Sequence, residues 1–153
     1  MIELDVVGVR IEKNTNTPML LLRDPDTGRC LPIWIGAAEA SAIVNALEGV
    51  IPSRPLTHDL MAELLSTLGH TELSGHITST LDGVFHAELT VDGQTIEARP
   101  SDVVALSLRC GFKVTCSGEL MAQVGVEMFE QNEDEVKRFR SFLDTVSPDD
   151  FEQ

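Results

Sequence analysis

The chain has 153 residues, 42% of them hydrophobic, with 25 acidic side chains against 11 basic ones and a formal net charge of −14. That length suits one domain with an appended segment and is enough to bury a sizeable core. The charge excludes a basic scaffold: the longest basic cluster, Lys137-Arg138-Phe139-Arg140, lies inside an acidic tail, so charge alone argues against a nucleic-acid partner.

Along the chain, loose alternation predicts a strand over Glu3 to Glu12, and Pro18 to Arg23 reads as a second. Asp24-Pro25-Asp26-Thr27-Gly28 has turn chemistry, and Arg29 to Ile35 returns as the partner strand. Pro32 lacks an N–H donor, which places it at an edge or a bulge. Gly36 ends this strand, and the Ala-rich run to Glu48 is a strong helix closed by Gly49. A loop over Ile51 to Leu56 leads to Thr57, a good N-cap for a helix from His58 to Leu68 with an apolar stripe of Leu60, Leu64, Leu65 and Leu68.

Glu72 to Leu81 and Val84 to Val91 form a hairpin about Asp82-Gly83, and Asp92-Gly93 turns into a strand over Gln94 to Ala98. Pro100-Ser101-Asp102 opens a helix that stops at Gly111, with Ser101 as the expected N-cap. A strand over Phe112 to Cys116 and a brief helical stretch near Glu119 follow. The tail is acidic and amphipathic over Glu133 to Thr145, with Val136, Phe139, Phe142 and Leu143 on one side. These elements predict an α+β fold: antiparallel or mixed sheets packed with three main helices, plus a C-terminal amphipathic helix. The expected division is a domain over residues 1–130 and an acidic helical tail over 131–153.

Two segments share a hairpin–strand–helix order at a constant offset. Leu31, Ile33, Ile35, Glu39, Ala42 and Ile43 fall opposite Gln94, Ile96, Ala98, Asp102, Ala105 and Leu106, which suggests a duplicated unit.

No apolar run is long enough for a membrane span, and the acidic N-terminus has no signal-peptide pattern, so a cytoplasmic protein is expected. Cys30, Cys110 and Cys116 are odd in number and lack CxxC spacing, which favours reduced thiols over disulfides or zinc. The single tryptophan, Trp34, sits between Ile33 and Ile35 and reads as part of a core or an interface.

Chemistry concentrates in two places. Arg54-Pro55-Leu56-Thr57-His58-Asp59 and Arg99-Pro100-Ser101-Asp102 each put a proline, a hydroxyl and an aspartate at a helix start. Helix N-termini receive phosphate, and Thr57 and Ser101 are the candidate phosphate-binding hydroxyls. Arg54 and Arg99 could add bidentate contacts. Asp59 and Asp102 could hold a divalent ion, Mg²⁺ or Mn²⁺, and His58 could move a proton. The same residue types are also ordinary capping chemistry, which needs no substrate.

Leu31-Pro32-Ile33-Trp34-Ile35-Gly36 with Glu39-Ala40, then Arg54 to Leu60, then Ala98 to Asp102 with Ala105-Leu106, closely resembles the bifunctional nuclease family over roughly Met1 to Glu127. The resemblance implies an α+β domain that self-associates and hydrolyses both DNA and RNA without marked sequence preference. It maps the family's best-marked positions onto Arg54, Thr57, His58, Asp59, Arg99, Ser101 and Asp102. The competing expectation is a non-catalytic oligomeric interaction or regulatory domain, with the motifs as helix caps. Either way a homo-oligomer is expected, a dimer being the commonest form.

Overall fold

The computed structural model describes residues 1–127. The tail helix expected over Glu133 to Thr145 and the segment 131–153 lie outside the described residues.

The elements follow as β1 (Ile2–Ile11), β2 (Pro18–Arg23), β3 (Arg29–Trp34), α1 (Ala37–Leu47), α2 (Thr57–Thr67), β4 (Leu73–Leu81), β5 (Val84–Val91), β6 (Gln94–Ala98), α3 (Pro100–Cys110), β7 (Val114–Cys116), α4 (Gly118–Val124) and β8 (Val126–Glu127). The fold is α+β, with an 8-stranded mixed sheet of order β6-β5-β4-β7-β1-β2-β3-β8. Two antiparallel three-stranded meanders, β1-β2-β3 and β4-β5-β6, are each followed by a helix, α1 and α3. This is the repeated order suggested by the offset pattern.

The seam between the meanders is β7. It pairs antiparallel with Ile2 to Leu4 of β1 and parallel with Gly75 to Ile77 of β4. Gly75 is glycine for space: an added Cβ would run into the Val103 side chain on α3, so the helix can approach β4 closely there. In both Asp-Gly turns the two residues have positive φ, 51° and 79° at Asp82-Gly83 and 48° and 83° at Asp92-Gly93. That backbone matches the twist of a tight hairpin, which is why the sequence signal is strong. Pro32 pairs with Leu21 on one side, while β8 covers only Arg29 and Cys30 on the other. Among the described residues no strand pairs with Pro32 on that second side, so it lies on an edge, as expected.

Leu20, Leu22 and Leu31 of the first meander, Ile77 of the second, Ile43 of α1, and Val103, Val104 and Leu106 of α3 form one continuous buried core. Cys30 and Cys116 are buried free thiols, and burial pushes both up from the ordinary thiol value; Cys110 is free and exposed. α1 and α3 pack on each other, and α2 lies against α3. The apolar stripe of α2 is left largely uncovered: the helix has no buried residue, and Leu60, Leu64 and Leu68 are all exposed. Nor is Trp34 in the core, being 52% exposed at the end of β3. Among the described residues no helix is long and apolar enough to cross a membrane.

Candidate active site

The N-termini of three helices meet at one cavity of ≈ 570 Å³. Ala38 and Glu39 contribute from α1, Leu56, Thr57, His58 and Met61 from the start of α2, and Arg99 and Asp102 from α3. The N-cap positions are Gly36, Leu56 and Arg99, and none of them accepts a helix N–H with its own side chain. The positive dipole ends of three helices therefore converge, although α3 adds few donors of its own: Pro100 has no N–H, and the Asp102 N–H donates to the Arg99 carbonyl at 3.1 Å. Gly36 has an ordinary φ of −81°, so its value is spatial: an added Cβ would land on the Glu39 carboxylate.

Thr57 and Ser101 are not the N-caps expected from the sequence. Both lie inside the first turn, one position and two positions past Leu56 and Arg99 respectively. The physical reason at α3 is Pro100, whose fixed φ and missing N–H suit the first helical position and start the helix ahead of Ser101. At α2 the cap is supplied from within: Asp59 Oδ2 reaches back to accept the Leu56 N–H at 3.0 Å. Thr57 is exposed and lines the cavity, whereas Ser101 is buried and lines a neighbouring one.

The cavity holds a four-residue network. Asp102 Oδ1 bonds His58 Nε2 at 2.9 Å, and Arg99 donates to both Asp102 oxygens, from Nε at 2.9 Å and Nη2 at 3.1 Å. Arg99 Nη1 pairs with Glu39 Oε1 at 2.9 Å. The His58 bond, assisted by Arg99, holds the Asp102 carboxyl below the usual carboxylate value against the opposing effect of burial. Asp102 in turn, with Glu39, pushes Arg99 up. The guanidinium is fixed by two carboxylates yet its side chain stays 64% exposed, so it is both positioned and accessible. The two motif segments do meet in space, through His58 and Asp102.

Asp59 goes elsewhere. It lines a separate cavity of ≈ 490 Å³ with Arg109, whose Nε bonds Asp59 Oδ1 at 2.8 Å. Arg109 also donates to the carbonyls of Ala105 at 2.8 Å and Ala42 at 3.1 Å. One guanidinium thus ties α1, α2 and α3 together. Arg109, then the Leu56 N–H, lower the Asp59 carboxyl from its ordinary value. Asp59 and Asp102 therefore face different cavities and different arginines. A divalent ion in the main cavity would draw on Asp102 and Glu39, and would share both with Arg99. Arg54 is exposed on the loop before α2 and does not line the cavity.

Sequence reasoning did not select Glu39 or Arg109 as functional residues, although the offset pattern contained a signal for the first. Glu39 and Asp102 are matched positions, and both carboxylates grip Arg99; Ala42 and Ala105 are matched positions, and both carbonyls accept from Arg109.

A sequence model of the bifunctional nuclease domain matches residues 20–129. The chain is similar to the uncharacterized proteins MT1877 and Rv1829 of two strains of Mycobacterium tuberculosis. Each is 44% identical to it, covering 97% of this chain and 97% of the relative.

Proposed function

Because the chain belongs to the bifunctional nuclease domain family, we propose that the three-helix cavity is a phosphodiesterase site hydrolysing DNA and RNA with little sequence preference. The observation that carries this reading is the His58–Asp102–Arg99 arrangement. Asp102 takes the Nε2 side of the ring, which favours the tautomer with hydrogen on Nε2 and a lone pair on Nδ1. Among the described residues Nδ1 has no hydrogen-bond partner, so it is the nitrogen that can act as a base. His58 Nδ1 takes a proton from water as its oxygen attacks phosphorus, one ester P–O bond breaks, the leaving oxygen takes a proton from solvent, and the imidazolium returns its own proton to solvent. Asp102 orients the ring and stabilises the imidazolium. Arg99 and the first-turn N–H groups receive the charge that grows on the non-bridging oxygens.

The network holds two carboxylates against one guanidinium, a poor balance for an anionic substrate. Glu39 and Asp102 are the groups that would hold Mg²⁺ or Mn²⁺, which when bound offsets phosphate charge. Asp59 has no part in the chemical step of this scheme; through Arg109 it holds α2 to α3.

The test is hydrolysis of single- and double-stranded substrates with Mg²⁺, Mn²⁺ or EDTA, using wild type, His58→Ala, Asp102→Asn and Asp59→Asn purified in parallel. Losses of about 100-fold or more are expected for folded His58→Ala and Asp102→Asn, with Asp59→Asn close to wild type below its melting range. Equal activity in all four preparations would reject the site and mark a contaminant.

The exposed Leu60, Leu64 and Leu68 face of α2 also supports self-association. A contiguous apolar helix face is costly in a monomer, and a second copy of the chain is the partner we assign to it.

A further inference from the structure

A third cavity, of ≈ 390 Å³, adjoins the site and shares Arg99 with it. It forms where the sheet curls far enough for β3 to touch β5, although β2, β1, β7 and β4 lie between them in the strand order. Trp34 and the residues leading into α1 contribute to it, as do Val84 and Phe85 after the Asp82-Gly83 turn and Ser101 at the start of α3, while Arg99 lines both cavities. Trp34 and Val84 are among the exposed large hydrophobics. An indole left half in water at a strand end thus lines the same cavity as a second aromatic side chain and an accessible guanidinium.

We propose that this cavity is a nucleobase subsite: Trp34, with Phe85, stacks the base next to the phosphate that Arg99 holds in the main cavity. This rests on the phosphodiesterase reading for the phosphate and adds the base. Aromatic faces hold every base about equally well, because stacking needs only a π surface, so the subsite adds affinity without sequence preference. It also supplies attraction that does not depend on charge, which a chain of net charge −14 lacks in its overall field. A base can enter only when unstacked from its neighbours, so single strands should bind and react in preference to duplex.

Trp34 is the sole tryptophan, so protein fluorescence reports on this cavity alone. The experiment uses the full chain carrying His58→Ala, which binds without turnover, at low salt. It is titrated with a labelled single-stranded oligonucleotide and with an abasic oligonucleotide of equal phosphate number, reading tryptophan emission and label anisotropy together. Saturable quenching by the base-bearing strand and binding of the abasic strand about tenfold weaker are expected. Trp34→Ala should lower affinity for the base-bearing strand most of the way towards the abasic level, with Phe85 still in place, and leave abasic binding unchanged; Trp34→Phe should fall between wild type and Trp34→Ala. Equal affinity for the two strands, or anisotropy binding with unaltered emission, overturns the proposal. So does emission that shifts with protein concentration before any nucleic acid is added, which would mean that a second copy covers Trp34. Cleavage is measured separately in wild type. Quenching without cleavage would remove the hydrolytic reading and keep the subsite, whereas cleavage without quenching would do the reverse.

Discussion

Replacing Arg109 with methionine keeps an unbranched apolar stem and removes every donor of the guanidinium. Three hydrogen bonds disappear, to Asp59, Ala105 and Ala42. The arginine side chain is only 12% exposed and its carboxylate partner 27%, so neither is well compensated by water. Breaking a buried ion pair by removing one partner costs about 3–5 kcal/mol. Partial exposure of Asp59 argues for the lower part of that range. About 3–4 kcal/mol translates to a melting point lower by roughly 6–16 °C for a chain of this size. The assay is urea unfolding of wild type, Arg109→Met, Asp59→Asn and the double variant, followed by circular dichroism. Because the groups are in contact, the cycle should show a coupling of about 1–3 kcal/mol. A loss below about 1 kcal/mol for Arg109→Met, or strictly additive single variants, would refute the clamp.

Other outcomes follow from the same geometry. Asp59 and Asp102 are held below the ordinary carboxylate value by Arg109 and His58 respectively. Depressed carboxylates contribute fully above their unfolded value of about 3.9 and lose that contribution as pH falls through the lower folded value. Wild-type stability should therefore fall steeply below about pH 4, while Asp59→Asn and Asp102→Asn start lower at neutral pH and show flatter acid limbs; parallel limbs in urea midpoints measured down to pH 2.5 would contradict this. Leu60→Glu with Leu64→Glu should convert an associating wild type into a monomer by sedimentation equilibrium, and two indistinguishable profiles would remove α2 as the contact. Gly75→Ala should destabilise by about 1–3 kcal/mol through overpacking against Val103, with partial recovery when Val103→Ala is added; a neutral Gly75→Ala would show that the strand and helix are not in tight contact.

Much of the architecture was legible because local chemistry and tertiary need agree. Asp82-Gly83 and Asp92-Gly93 take the one turn geometry that such pairs favour, so β4 and β5 end where the sequence places their ends. α2 shows the limit of periodicity. Amphipathy says that Leu60, Leu64 and Leu68 share a face, but not that the chain's own core covers it, and it does not. β8 is too short for any alternation to reveal. At the site, His58, Arg99 and Asp102 were visible as helix-start chemistry. Asp59 was grouped with them by adjacency in sequence, yet one step along a helix turns a side chain by about 100°, and that step carries it from Asp102 to Arg109. Arg109 itself carried no local signal, since all that it holds outside its own helix, Asp59 and Ala42, lies far away in sequence.

Arg99 serves two masters. Its guanidinium is the ion-paired link from Glu39 of the first half to Asp102 of the second, and in the function proposed above it is also the cation offered to an incoming phosphate. Each hydrogen bond that it gives to a ligand competes with one that helps hold the halves together. Binding should therefore stiffen the molecule less than mass action alone predicts: saturating ligand raises the melting point by its affinity, minus the cohesion that Arg99 surrenders. Affinity and rigidity are then opposed through one side chain, with Arg109 keeping the helices assembled from the opposite end of α3 while the first arginine is engaged.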